Sequence, residues 1–272
     1  MGVLPSDARS EVVLVSGKQS CGPDAFLMEV ELPTPLEPLN PGRFAMLTPV
    51  GPSDLTIPRP FSIYGQSDST HLSFLIQVMG AGTRILSELS IGESLRWTGP
   101  LGNGFEVAPS EREVVLLAGG VGSAPFLAYA HAREQAKAQT HFIFGARTED
   151  RLYDRTAFEG GTLKIQLATD DGSCGFHGTV VQALDAELKG DRIGHGALFC
   201  ACGPPGLLHG FTDFARAEGL EFQLSLETYM GCGIGVCNGC PTKASKSGRF
   251  GGWPWAKTCT DGPVFAGEDV DY

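Results

Sequence analysis

The spacing of four C-terminal cysteines limits this chain more than any other feature. Cys232-x4-Cys237-x2-Cys240, with Cys259 alone further on, is the plant-type [2Fe-2S] pattern. A tight loop can wrap three thiolates round a cluster, and a distant fourth can close it. The loop reads MGCGIGVCNGC. Gly231, Gly233, Gly235 and Gly239 are expected to allow positive φ and close approach of backbone N–H groups to sulfur. A structural zinc site favours a C-x2-4-C knuckle at each half, whereas here three cysteines crowd one loop and the fourth, Cys259, is single. The C-terminal stretch is Gly- and Cys-rich and too poor in apolar periodicity to fold alone, so it needs a staple.

Four further cysteines, 21, 174, 200 and 202, make the total even, as in a disulfide framework. The ligand-like crowding of the other four and a first segment without a basic n-region or long apolar run point instead to a reducing compartment, and a cytoplasmic location is expected. The 272 residues suffice for two ordinary domains, and 42% hydrophobic with 19% charged residues is a soluble globular balance. No run approaches the roughly 18 apolar residues of a membrane span. A net charge of −11 without a basic patch argues against nucleic acid and for a small-molecule or protein partner.

Residues 1–108 read as short strands punctuated by Pro and Gly clusters at 33–42, 49–60 and 99–104, which suggests an antiparallel barrel. From 109 to 220 the pattern changes. Short apolar runs at 113–118, 141–145, 163–169 and 197–201 alternate with helical stretches, as in a parallel sheet with crossover helices. Residues 221–272 form the cysteine-bearing unit. The expected fold is therefore a β-barrel, an α/β domain and a small cluster subdomain.

Inside the barrel, Arg59-Pro60-Phe61-Ser62 opens a strand. An arginine can neutralise a pyrophosphate, and a serine hydroxyl can bond the edge of a flavin ring. Leu75-Ile76-Gln77 ends another strand and leads through Gly80-Ala81-Gly82-Thr83 into a helix, whose first turn is a natural phosphate site. Gly119-Gly120-Val121-Gly122 follows a buried strand and precedes a helix, where a doubly wound sheet holds a pyrophosphate, and Cys202-Gly203-Pro204 follows another strand end. Cys202 can touch a nicotinamide ring or be a small buried residue. Arg147 and Arg151 favour a ribose 2′-phosphate, while Glu149 and Asp150 oppose one, and NAD is the reading. Thr169-Asp170-Asp171-Gly172 is read as a simple turn, and the six scattered histidines as structural or surface residues.

Together RPFSIYG, GAGT, LAGGVGSAPF, CGPPG, MGCGIGVCNGC and KTCTDGPVF resemble the electron-transfer subunit of class 1B dihydroorotate dehydrogenase, in the ferredoxin-NADP reductase superfamily. The resemblance implies an FAD barrel, an NAD domain and a [2Fe-2S] subdomain. It implies a separate FMN-containing catalytic subunit, two of each chain, which oxidises dihydroorotate in pyrimidine biosynthesis and passes electrons through the cluster and FAD to NAD. It places Arg59 to Ser62, Leu75 to Gln77, Gly82 and Thr83 around FAD, and makes Cys232, Cys237, Cys240 and Cys259 the cluster ligands. Compared with the family, the Cys240–Cys259 interval is long, and Thr228-Tyr229 replaces a more polar pair. A reductase subunit of a hydrogenase, a ferredoxin:NADP oxidoreductase, and a non-enzymatic redox or nucleotide sensor are the alternatives.

Overall fold

In the computed structural model, which describes residues 5–51 and 57–272, alternating apolar residues build the first sheet. Residues 52–56 of the turn cluster expected at 49–60 lie outside the described residues. Seven strands, β1 (Arg9–Ser20), β2 (Ala25–Glu31), β3 (Phe44–Pro49), β4 (Arg59–Ser62), β5 (Gly65–Gln66), β6 (His71–Gln77) and β7 (Ser94–Leu101), pair antiparallel in the order β4-β3-β7-β1-β2-β6-β5. On β2, Phe26, Met28 and Val30 turn inward and Glu29 and Glu31 outward, the period-two signature of a half-buried strand. The inward set packs with Val13, Phe74, Leu95 and Trp97 in one core. The edge strands β4 and β5 are joined by Ile63 and Tyr64 alone, a connection that reaches only about 10 Å. The sheet must therefore curl until β4 meets β6. The expected barrel is present as a curled half-barrel, with β4 and β5 as its two edges among the described residues. Helix α1 (Ala81–Glu88) follows β6.

The second sheet is parallel in the order β11-β10-β9-β8-β12-β13. Its strands are β8 (Val114–Gly119), β9 (Thr140–Ala146), β10 (Lys164–Thr169), β11 (Phe176–His177), β12 (Leu198–Cys202) and β13 (Glu221–Ser225). Strands β8 and β12 are buried along their whole length, as expected of parallel strands covered on both faces. Helices α2 (Phe126–Gln135), α3 (Val180–Lys189) and α4 (Pro205–Ala217) form the crossovers. Helix α3 starts on a capping box: Gln182 N donates to Thr179 Oγ1 and Thr179 N donates to Gln182 Oε1. Pro205 occupies the first position of α4, where its missing N–H costs nothing. The chain lays β9 on one side of β8 and β12 on the other, so the topological switch point lies between β8 and β12.

After β13 the chain leaves the sheet, builds a two-stranded hairpin from β14 (Pro241–Lys243) and β15 (Trp255–Lys257), and returns as β16 (Val264–Ala266), antiparallel to β13. The division expected at 220/221 thus cuts through the central sheet, because β13 and β16 both fall within 221–272. These two strands are short, and β13 mixes exposed, half-buried and buried residues, which weakens their apolar signal. Tyr64, Leu75 and Phe105 of the half-barrel join Phe126, Tyr129, Phe142 and Tyr153 in a shared apolar layer that ties the two sheets together.

Candidate functional site

The four C-terminal thiols fall in two pairs, and among the described residues no three of them stand close enough together to hold one metal ion. Cys240 Sγ and Cys259 Sγ are 3.1 Å apart, and Cys237 N donates to Cys232 Sγ at 3.4 Å. Partial burial pushes the Cys232 thiol up, but N–H groups of Cys237, Ile234 and Val236 aimed at its sulfur outweigh it, and its pKa is lowered to about 7. The Cys259 thiol and the nearby Lys257 ammonium favour the Cys240 thiolate against its burial, lowering it to about 6, and Cys259 is raised in turn. Gly233 and Gly235 hold φ of +71 and +81, as expected. Gly231 and Gly239 do not. The left-handed position beside Gly239 is Asn238, at φ +55, which tolerates it through its short polar side chain. A Cβ on Gly231 or Gly239 would lie 3.5 or 3.4 Å from Cys237 Sγ, an ordinary contact, so neither position requires glycine for space.

This loop rests on the half-barrel. Met230, Cys240 and Cys259 share an apolar cluster with Phe44, Met46 and Leu101. A Cβ on Gly233 would stand 2.6 Å from Met46 Cγ. Met46 pairs across the sheet with Pro60, and Phe44 with Ser62, so Arg59 to Ser62 lie one strand spacing from β3, the strand that the cysteine loop touches. Arg59 Nη1 donates to Ile57 O at 2.7 Å, and all four residues of β4 stay half-buried.

Other predicted flavin residues are placed differently. Ile76 is fully buried in the half-barrel core and Leu75 in the layer between the sheets, so their backbones alone can meet a ligand. Gln77 Nε2 donates to Asp24 Oδ2 and Tyr153 OH, both at 3.0 Å. Gly82 is buried within α1, and Thr83 Oγ1 accepts from Met79 N and Gly80 N, so its hydroxyl caps the helix. The first-turn N–H groups of Ala81 and Gly82 have no intrahelical acceptor, which suits an anion.

At the switch point a cavity of about 690 Å³ opens between the sheets. Gly119, Gly120, Gly122, Gly203 and Pro204 line it beside Gln77 and Met79 from the end of β6. Glycine is required here by close backbone approach: a Cβ on Gly122 would lie 2.4 Å from Cys202 O, and one on Gly119 2.8 Å from Pro204 Cδ. Cys202 itself is buried in the layer between the sheets, where burial and the neighbouring Glu227 carboxylate push its thiol well up. It is the buried residue of the two readings. Arg147, Arg151, Asp170 and Glu227 also line the cavity. Glu227 opens to the cleft yet is walled by protein, and that desolvation pushes its carboxyl up. Sequence reading missed Asp170 and Glu227. A carboxylate at a strand end was the only signal for Asp170, and none marked Glu227. Glu149 and Asp150, read as opposing a 2′-phosphate, bond Arg155 and Thr148 instead.

A smaller cavity, about 300 Å³, lies at the amino ends of β9 and β10, away from the switch point. Of its lining groups, His141 pairs with Glu113 at 3.0 Å and Arg192 with Glu187 at 2.8 Å, while Lys164 lies beside them.

A half-barrel beside a parallel sheet, a glycine-walled cleft at the switch point and a four-thiol loop against the barrel define an oxidoreductase of the ferredoxin-reductase type. Residues 227–271 match the model of the iron-sulfur cluster binding domain of dihydroorotate dehydrogenase B, and residues 116–213 that of the oxidoreductase NAD-binding domain. The dihydroorotate dehydrogenase B (NAD(+)) electron transfer subunit of Caldanaerobacter subterraneus subsp. tengcongensis is 35% identical over 85% of this chain and 87% of that protein. Its Enterococcus faecalis counterpart is 30% identical over 96% and 98%. A solved NADH-dependent reduced ferredoxin-NADP oxidoreductase superposes with a TM-score of 0.83 at 27% identity, over 96% of this chain and 90% of that one. The chain belongs to the family of dihydroorotate dehydrogenase B electron transfer subunits.

Proposed function

We propose that this chain carries electrons between NAD(H) and a partner FMN-containing subunit that oxidises dihydroorotate, through FAD and a [2Fe-2S] cluster. The observation that carries the reading is continuity: β6 ends in the glycine-walled cleft, β4 lies beside β6, and β3, paired with β4, touches the cysteine loop through Met46. A flavin on β4 and β6 therefore has a nucleotide on one side and a cluster on the other. Bound there, it supplies exchange of electron pairs with nicotinamide and of single electrons with the cluster.

The protein's own residues bind and orient. Arg59 and the first turn of α1 take the FAD pyrophosphate, Ser62 the flavin edge, and the backbones of Leu75, Ile76 and Gln77 the adjoining face. Gly119, Gly120, Gly122, Gly203 and Pro204 take the nicotinamide dinucleotide, with Cys202 supporting the loop from behind. Cys232 with Cys237 and Cys240 with Cys259 would hold the cluster as two thiol pairs, the spacing of the plant-type [2Fe-2S] pattern. Among the described residues no helix is long and apolar enough to cross a membrane. The proposal includes a cytoplasmic setting, two copies of each subunit, and units 1–108, 109–220 and 221–272, the last sharing its end strands with the central sheet.

The test is chemical analysis with turnover. Anaerobically purified chain is expected to contain FAD and equal amounts of iron and acid-labile sulfide, and to show the EPR signal of a reduced cluster. Dihydroorotate should reduce NAD+ only when the FMN subunit is added. Zinc in place of iron ends the cluster assignment, and ferredoxin-linked activity that ignores the FMN subunit favours the structural neighbour's type of reaction.

A further inference from the structure

Exposed apolar side chains gather beside the cysteine loop: Val236 is 74% exposed, Trp253 69% and Trp255 53%. The two tryptophans belong to the hairpin that grows from the loop. β14 begins directly after Cys240, β15 ends two residues before Cys259, and Thr258 N donates to Cys240 O at 2.9 Å. On this hairpin Thr242 and Ala256 turn into the protein, while Lys243 and Trp255 face out. Lys257 Nζ donates to Gly235 O at 2.9 Å, which sets the outer face of the hairpin against the turn that carries Val236 and the exposed Cys237.

Charge selects the occupant. Lys243 pairs with Asp271 at 3.1 Å, and Arg249 with Asp269 at 3.2 Å while lying over the Phe250 ring. Lys257 is held onto the loop by a carbonyl, Gly235 O, and faces the cysteines, which leaves Lys246 as the hairpin's exposed cation without an ion pair among the described residues. Within 227–272, five acidic residues (Glu227, Asp261, Glu268, Asp269, Asp271) stand against four basic ones (Lys243, Lys246, Arg249, Lys257), a net charge of −1, while the whole chain carries −11. An acidic carrier that docks by charge finds almost no free cation here. A stably bound partner needs what is present, a near-neutral face with aromatic anchors and few free charges.

We infer that the Trp253–Trp255 face of the hairpin, with Val236, is the seat of the catalytic partner. That partner is a protein with a near-neutral, apolar recess that stays bound, not an acidic carrier that visits. This rests on the functional reading above and names the surface it uses.

The chain is co-expressed with the FMN-containing, dihydroorotate-oxidising subunit of the same organism, and the assembly is followed by sedimentation on dilution. Trp253→Ser with Trp255→Ser is expected to weaken the assembly about 100-fold, while Trp255→Phe stays within about threefold of wild type. Flavin and iron content and NADH-driven reduction of an artificial acceptor by the isolated chain should be unchanged. Ile91→Ser, at an exposed site on the half-barrel, should assemble as wild type. Assembly of the double variant at wild-type affinity overturns the inference. So does self-association of the isolated chain that the tryptophan changes abolish, or loss of ferredoxin binding while the FMN subunit stays bound. A wild-type chain that never binds the FMN subunit overturns the functional reading instead, a result distinct from binding that ignores the tryptophans.

Discussion

Gly122 shows how much one missing carbon can matter. A Cβ there would meet Cys202 O at 2.4 Å and Gly203 Cα at 2.6 Å, both backbone atoms that cannot swing aside. Gly122→Ala is expected to cost about 2 kcal/mol by overpacking and to weaken NADH binding at least tenfold by spreading the two loops. Melting temperature and NADH titration of the flavin check both, and unchanged NADH affinity refutes the role. Lys257 acts by charge. Its ammonium is tied to Gly235 O and favours the Cys240 thiolate. Lys257→Gln removes a positive charge beside the cluster, so the oxidised, less negative side of the couple loses less than the reduced side. The reduction potential should fall with iron content intact. An EPR-monitored redox titration reads it, and an unmoved midpoint denies the effect. Gly233 and Gly235 were legible because the spacing of three cysteines along a single loop demands tight turns between them. Asn238 was not, since its left-handed backbone depends on how the loop closes over sulfur.

Between elements, the joint of the two sheets hangs on partners far apart in the chain. Asp24 of the β1–β2 turn accepts from Gln77 at 3.0 Å, from Arg151 at 2.8 Å and from Tyr153. Burial would raise the Asp24 carboxyl, but the bonds from Tyr153, Gln77 and Arg151 win and hold it below the usual carboxylate range. A folded value below the unfolded one means that the stabilisation is complete above about pH 4 and is lost as pH falls through the folded value. Asp24→Asn should therefore cost roughly 1 kcal/mol at neutral pH, discounted for partial exposure, and should flatten the acid slope of stability relative to wild type. Melting curves of the two proteins from pH 7 downward check this, and parallel slopes exclude it. No local pattern announces such a contact. The strand β6 and the loop after β9 each read correctly by themselves, yet Gln77 and Tyr153 meet only when both sheets are in place. Glu227 escaped notice for the same reason, since it reaches the cleft only because β13 runs beside β12.

At the scale of the whole molecule, the cysteine loop is a guest on two hosts that fold by their own patterns. Cys240→Ser is expected to lose iron and make residues 227–263 sensitive to protease, while FAD and NADH-driven flavin reduction persist. Limited proteolysis and flavin content decide it, and joint loss of iron and flavin contradicts it. The hosts were legible from apolar runs and turn residues. The boundary was not, because β13 and β16 are shared property. That sharing has an effect on evolution. Ser225 faces Val264, and Leu226 N donates to Pro263 O at 2.9 Å, so the excursion leaves and re-enters at one clasp. Doubling the length of a loop whose ends are already joined costs only about 0.6 kcal/mol in closure entropy. New segments can therefore be spliced between Cys240 and Cys259 without disturbing either sheet, and a lineage can remodel the company it keeps while its wiring stays put.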